Sequence, residues 1–180
     1  MHMLIALVGF GSASCERPSP VIVPAKTVSG ASSSVRARPH TIDDQFRSVG
    51  ALVPEFGGFY LDDSGRPTVV LTRDDALPAA RAALTSVFEA GFGRAPWQSA
   101  SGRYGYLALA NWRDDLTKKL LRGVNGVSST GLDHMRNKVR VGVTSDAGSR
   151  AVTEALAKLG IPTDAVIIAF EEPDKLLRAH

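Results

Sequence analysis

Apolar residues in this chain fall into short bursts whose spacing changes from one to the next. The first, residues 3–10 (MLIALVGF), is unbroken and is followed at once by Gly11-Ser12-Ala13-Ser14 and Cys15. It is shorter than the about 20 residues that span a bilayer, and an apolar run ending in small residues has the form of a secretory signal peptide. Residues 16–40 have no apolar period. Pro18, Pro20, Pro24, Pro39 and the Ser32-Ser33-Ser34 run rule out a helix or a central strand and predict an extended tether.

Periodicity begins at Thr41, an N-cap with Asp44 three residues on, opening a short helix through Ile42, Phe46 and Val49. Two apolar runs, 56–61 and 68–72, flank Asp62-Asp63-Ser64-Gly65 and predict a β-hairpin. Asp74 or Asp75 then caps a helix with Leu77, Ala80, Leu84, Val87 and Phe88 on one face, stopped at Gly91. The stretch GFGRAPWQSASGRYG reads as an irregular loop. A helix over 106–122 turns Leu107, Ala110, Leu116, Leu120 and Leu121 inward. Its outer face carries the i,i+4 pairs Asp114–Lys118 and Asp115–Lys119, and Gly123 ends it.

In the last third, 127–132 and 138–143 predict a second hairpin around Asp133-His134-Met135-Arg136-Asn137. Val139, Val141 and Val143 alternate with Lys138, Arg140 and Gly142, so one face is buried and one solvated. Ser145 or Asp146 caps a helix carrying Val152, Leu156 and Leu159, stopped by Gly160 and Pro162. The run 165–170 (AVIIAF) predicts a more deeply buried strand. After the opening helix the order is β-hairpin, α, α, β-hairpin, α, β. This predicts an α+β two-layer sandwich, a mostly antiparallel sheet with helices on one face. The expected division is a signal in 1–15, a tether in 16–40, one domain in 41–172 and a tail in 173–180.

Composition changes this picture little. The chain has 180 residues, 44% of them hydrophobic, which suits one domain with flanking segments. A formal charge of +3 is spread over positions such as Arg36, Arg38, Arg94 and Arg103. Nucleic-acid binding needs cations clustered along a phosphate track, so no nucleic-acid partner is expected. The single cysteine, Cys15, excludes an intramolecular disulfide. Placed directly after the small residues, it resembles the cysteine of a bacterial lipobox, which implies lipid attachment at Cys15 and a membrane-anchored protein of the cell envelope. The competing reading is a buried first strand with an incidental cysteine.

The segment from Val127 to Phe170, a hairpin LDHMRNKVRVGV, a helix ending in LG and a closing strand, resembles the C-terminal part of the pro-regions of α-lytic protease and streptogrisin-type enzymes. Asp133, Asn137, Val139, Val141 and Val143 occupy the pattern. The resemblance covers about a quarter of the chain. It implies a protein that assists the folding of a secreted serine protease or inhibits it.

Chemistry is sparse. His2, His40 and His180 lie outside the predicted domain, and His134 is expected to be an exposed turn residue. Zinc spacings, a GxSxG elbow and phosphate loops are absent from the sequence, so no catalytic residue, metal or cofactor is expected. The Asp62–Gly65 run lacks the further oxygens of a calcium loop and reads as a turn. The acid pairs Asp43-Asp44, Asp74-Asp75 and Asp114-Asp115 read as helix-capping carboxylates; Glu171-Glu172 receives no role. Trp97, Tyr104, Tyr106 and Trp112 concentrate in and after the long loop, where they either form a binding surface or cover the end of the core. The expectation is a non-enzymatic, exported binding module for an envelope protein, a peptide or a secreted protease. A small hydrolase would instead bring acid, base and nucleophile together in one pocket.

Overall fold

The computed structural model describes residues 41–88 and 96–172. The signal with Cys15, the tether, the Gly91 helix stop and the C-terminal tail lie outside these residues. All described residues fall in one compact unit.

The α+β class holds, with four α-helices and two three-stranded sheets among the described residues. The first half runs α1 (Ile42–Leu52), β1 (Phe56–Leu61), β2 (Pro67–Leu71), α2 (Leu77–Phe88) and β3 (Gln98–Ser101). The second runs α3 (Tyr106–Leu120), β4 (Val127–Asp133), β5 (Lys138–Val143), α4 (Asp146–Leu159) and β6 (Val166–Phe170). The sheets are ordered β1-β2-β3 and β4-β5-β6. In each, the hairpin is antiparallel and the third strand adds parallel to the second after a crossover helix. The expected single, mostly antiparallel sheet is therefore two mixed sheets. β6 adds parallel to β5 in the second sheet, and in the first β3, whose QSAS sequence has no strand signal, takes its conformation from pairing parallel with β2.

The two halves repeat one another in detail. Each hairpin has a register shift at its start, between Phe56 and Gly58 and between Val127 and Ser129. Thr72 N–H donates to the Glu55 carbonyl as Thr144 N–H donates to that of Gly126, both at 2.9 Å. Gly102 N–H meets the Leu71 carbonyl at 2.7 Å as Glu171 N–H meets that of Val143 at 2.8 Å. Ala80, Ala83 and Leu84 follow Leu71 at the spacings by which Val152, Ala155 and Leu156 follow Val143, and all six are buried.

Local rules explain most helix ends. Thr41 and Asp44 form a reciprocal capping box. Ser145 accepts from Gly148 N–H, and Gly160 closes α4 at φ 64°. Two capping assignments fail. A 3₁₀ turn, Asp74–Ala76, precedes α2 without a side-chain cap, because Asp75 is held by Arg73 at 2.6 Å. Asp114 lies inside α3, where it binds Arg47 of α1 at 2.6 Å and its neighbour Arg113 at 2.9 Å. That partner also displaces the expected Asp114–Lys118 pair, while Lys118 lies 3.9 Å from Asp115.

There are two cores. Phe46, Val49, Phe56, Val69, Leu71 and Leu84 build the first, and α3 contributes Tyr106 and Ala110 to it. Leu109, Leu116, Leu120, Val139, Val141, Val143 and Leu156 build the second. Leu121 and Leu159, expected inside, are exposed, each standing at the last turn of its helix where the sheet no longer covers it. β6 is less buried than its apolar sequence implies, because it is an edge strand, and Phe170 is 64% exposed.

Candidate functional site

The seam between the halves is held by a set of side-chain hydrogen bonds. Its centre is Asn137, 4% exposed at the tip of the β4–β5 hairpin with φ 53°. Asn is among the few residues that adopt this left-handed conformation at low cost. Its amide nitrogen donates to the carbonyls of Gly57 at 3.0 Å and Tyr104 at 2.9 Å. Its amide oxygen accepts from the N–H groups of Arg103 and Tyr104, both at 2.8 Å. The side chain therefore pins the second hairpin to β1 and to the segment joining the halves. Gly57 and Gly102 make room, since a Cβ at either would press on the Asn137 side chain. In the second half the matching positions are Ser128 and Glu171, and the space over Gly142 is filled by the Glu171 carboxylate. That carboxylate accepts from Ser128 at 2.7 Å and Ser129 at 3.1 Å and pairs with Arg140 at 2.9 Å. The Ser128 bond first, then those from Ser129 and Arg140, hold its pKa below the usual carboxylate range.

His134 is not the exposed turn residue the sequence suggests. Its ring stacks on Tyr106 at 5.8 Å and lies 5.3 Å from Phe46, so the hairpin tip holds it half-buried against the first core's aromatic cluster. Nδ1 accepts from Phe59 N–H at 3.4 Å. Burial lowers its pKa, with Arg113 acting the same way and Asp43 and Asp133 opposing. Nearby, Arg113 pairs with Asp43 at 2.5 Å. Among the described residues the buried Tyr106 hydroxyl has no hydrogen-bond partner, and burial, then Asp43, pushes its pKa up to about 12.

Beside Asn137 opens a cleft of about 530 Å³, flanked by the end of β3, the hairpin tip and the turn before β6. Arg103, Arg136 and Lys138 line it with Tyr104 and Asp164. Arg103 reaches Asp164 at 2.5 Å and lies 5.5 Å over the Tyr104 ring, while the Tyr104 hydroxyl donates to Asp164 at 3.0 Å.

The aromatic residues singled out in the sequence separate into three places. Tyr104 lines the cleft and packs edge-on against Trp112 at 5.2 Å. Trp97 lies 5.8 Å from Phe59 and 5.7 Å from the Arg81 guanidinium. Tyr106 is fully buried. Sequence reasoning missed Arg136, Lys138 and Asp164 as neighbours of Arg103, because they are brought together only by the docking of the second hairpin on the first half.

Among the described residues no three His, Cys, Asp or Glu side chains are grouped to hold a metal. The hydrogen bond of His134 Nδ1 runs to a main-chain N–H. No family model matches the chain, and no curated protein matches it.

Proposed function

We propose that this chain is a non-enzymatic protein exported to the bacterial cell envelope, held there by a lipid on Cys15, and that its folded part binds a protein or peptide. The observation that carries the binding role is β6. It is an apolar edge strand, VIIAF, ending in the exposed Phe170. Edge strands usually carry charges, prolines or bulges that discourage pairing, and one without them is a ready template for an added strand. A tether in residues 16–40, as their proline- and serine-rich sequence predicts, would hold such a module clear of the membrane. A photo-crosslinking residue at Phe170, expressed in cells, tests this. A discrete adduct in the envelope fraction, missing when the probe replaces the exposed Leu121, is expected. Equal labelling from both positions, or none from Phe170, contradicts it.

A second reading, a trans-acting helper or inhibitor of a secreted serine protease, is favoured by one observation. The segment resembling protease pro-regions ends in this same edge strand. Slowed hydrolysis by a streptogrisin-type protease in the presence of the chain supports it, and unchanged hydrolysis removes it.

A further inference from the structure

We propose that the seam cleft binds an extended acidic peptide segment of a partner protein, laid along the outer edge of β3 with a carboxylate at Lys138 and Arg136. The inference rests neither on the lipid at Cys15 nor on β6. Three cationic side chains and one carboxylate line the cleft. Arg103 is paired with Asp164, and Arg136 with Asp133 at 3.0 Å. Lys138 has no carboxylate within ion-pair distance among the described residues. With Arg103 and Arg136 paired, the group keeps one net positive charge, at Lys138, which an entering carboxylate would neutralise while gaining charge-assisted hydrogen bonds from Lys138 and the exposed Arg136.

The floor of the cleft is fixed in advance. Asn137 holds the main chain of Arg103 and Tyr104 from both its amide atoms, so little order has to be imposed on binding. β3 supplies the track for the peptide. Because Gly102 N–H points to β2, the alternation of a strand aims the main-chain groups of Ser99 and Ser101 away from β2. Both residues are exposed, and among the described residues no strand pairs with that edge. The QSAS sequence carries neither charge nor proline to block it. Ser101 also lines the cleft, so a peptide added to β3 runs into the cations.

A nucleic acid fits less well. Asp133 and Asp164 stand among these cations, and phosphates need a longer basic track.

The test is titration of the ¹⁵N-labelled full chain with a Glu-rich decapeptide, its Gln counterpart, a Lys-rich decapeptide and a single-stranded oligonucleotide. The Glu peptide is expected to shift the amides of Ser99, Ser101 and Lys138 at the lowest concentration. Lys138→Glu should weaken it by about tenfold, and the milder Arg136→Gln should weaken it by less, with amide dispersion confirming that both variants fold. Unmoved amides with millimolar Glu peptide overturn the proposal. So does equal binding by wild type and Lys138→Glu, or tighter binding of the oligonucleotide at these amides. The Phe170 crosslink reads a different edge, so failure here and failure of the functional reading are separately visible.

Discussion

Replacing Asn137 by alanine removes the side chain that joins the halves. Four hydrogen bonds of 2.8–3.0 Å disappear, each with a net contribution of about 0.5–1.5 kcal/mol. Alanine must also hold φ near 53°, a strain of about 1–2 kcal/mol. Together these place the loss at about 3–8 kcal/mol, against a total stability of roughly 5–15 kcal/mol for a domain. Asn137→Gly loses the same bonds but bears no such strain, so it should be more stable than the alanine variant by about 1 kcal/mol. Urea unfolding followed by circular dichroism measures both. With a slope of about 1–3 kcal/mol/M, a loss of about 4 kcal/mol lowers the midpoint by roughly 1–4 M. If the second half unfolds separately once the clamp is gone, the transition of the variants broadens or splits. An alanine variant within about 1 kcal/mol of wild type would refute the assignment of Asn137 as the clamp.

Acid should weaken the fold through His134. Its pKa in the folded chain lies below the ordinary 6.5, so its contribution is fully present above 6.5 and is lost as pH falls toward the folded-state value. An NMR titration midpoint at or above 6.5 contradicts this, and His134→Phe should flatten the stability profile in that window. Gly148→Ala should destabilise by about 1–3 kcal/mol, since the new Cβ meets the Gly126 main chain, which cannot yield as a side chain would. Gly131→Ala has open space and an ordinary backbone, and should be neutral or stabilising by up to about 1 kcal/mol in thermal unfolding.

The legible parts of this chain are those written in local signals. The capping box at Thr41 and Asp44, the glycine stop at Gly160 and the valine alternation of β5 each act over a few residues, and each formed where the pattern put it. β3 was illegible because Gln98–Ser101 becomes a strand only by pairing with β2, across a helix. The repeat of the halves was hidden for a related reason. It survives in hydrogen bonds and buried positions, while the residues at matching places differ, as Gly102 and Glu171 do. His134 and Asn137 look like turn residues from their neighbours, and only the first half's aromatic cluster and carbonyls draw them inward. The aromatic concentration after the loop was visible in sequence, but its division between core, cleft and helix surface depends on which way α3 faces.

The central claim, an envelope protein anchored through Cys15, is tested most directly by metabolic labelling with a palmitate analogue, comparing wild type with Cys15→Ala after cell fractionation. The account predicts label in the membrane fraction for wild type and its loss, together with release from the membrane, in the variant. An unlabelled, full-length chain in the cytoplasm contradicts it.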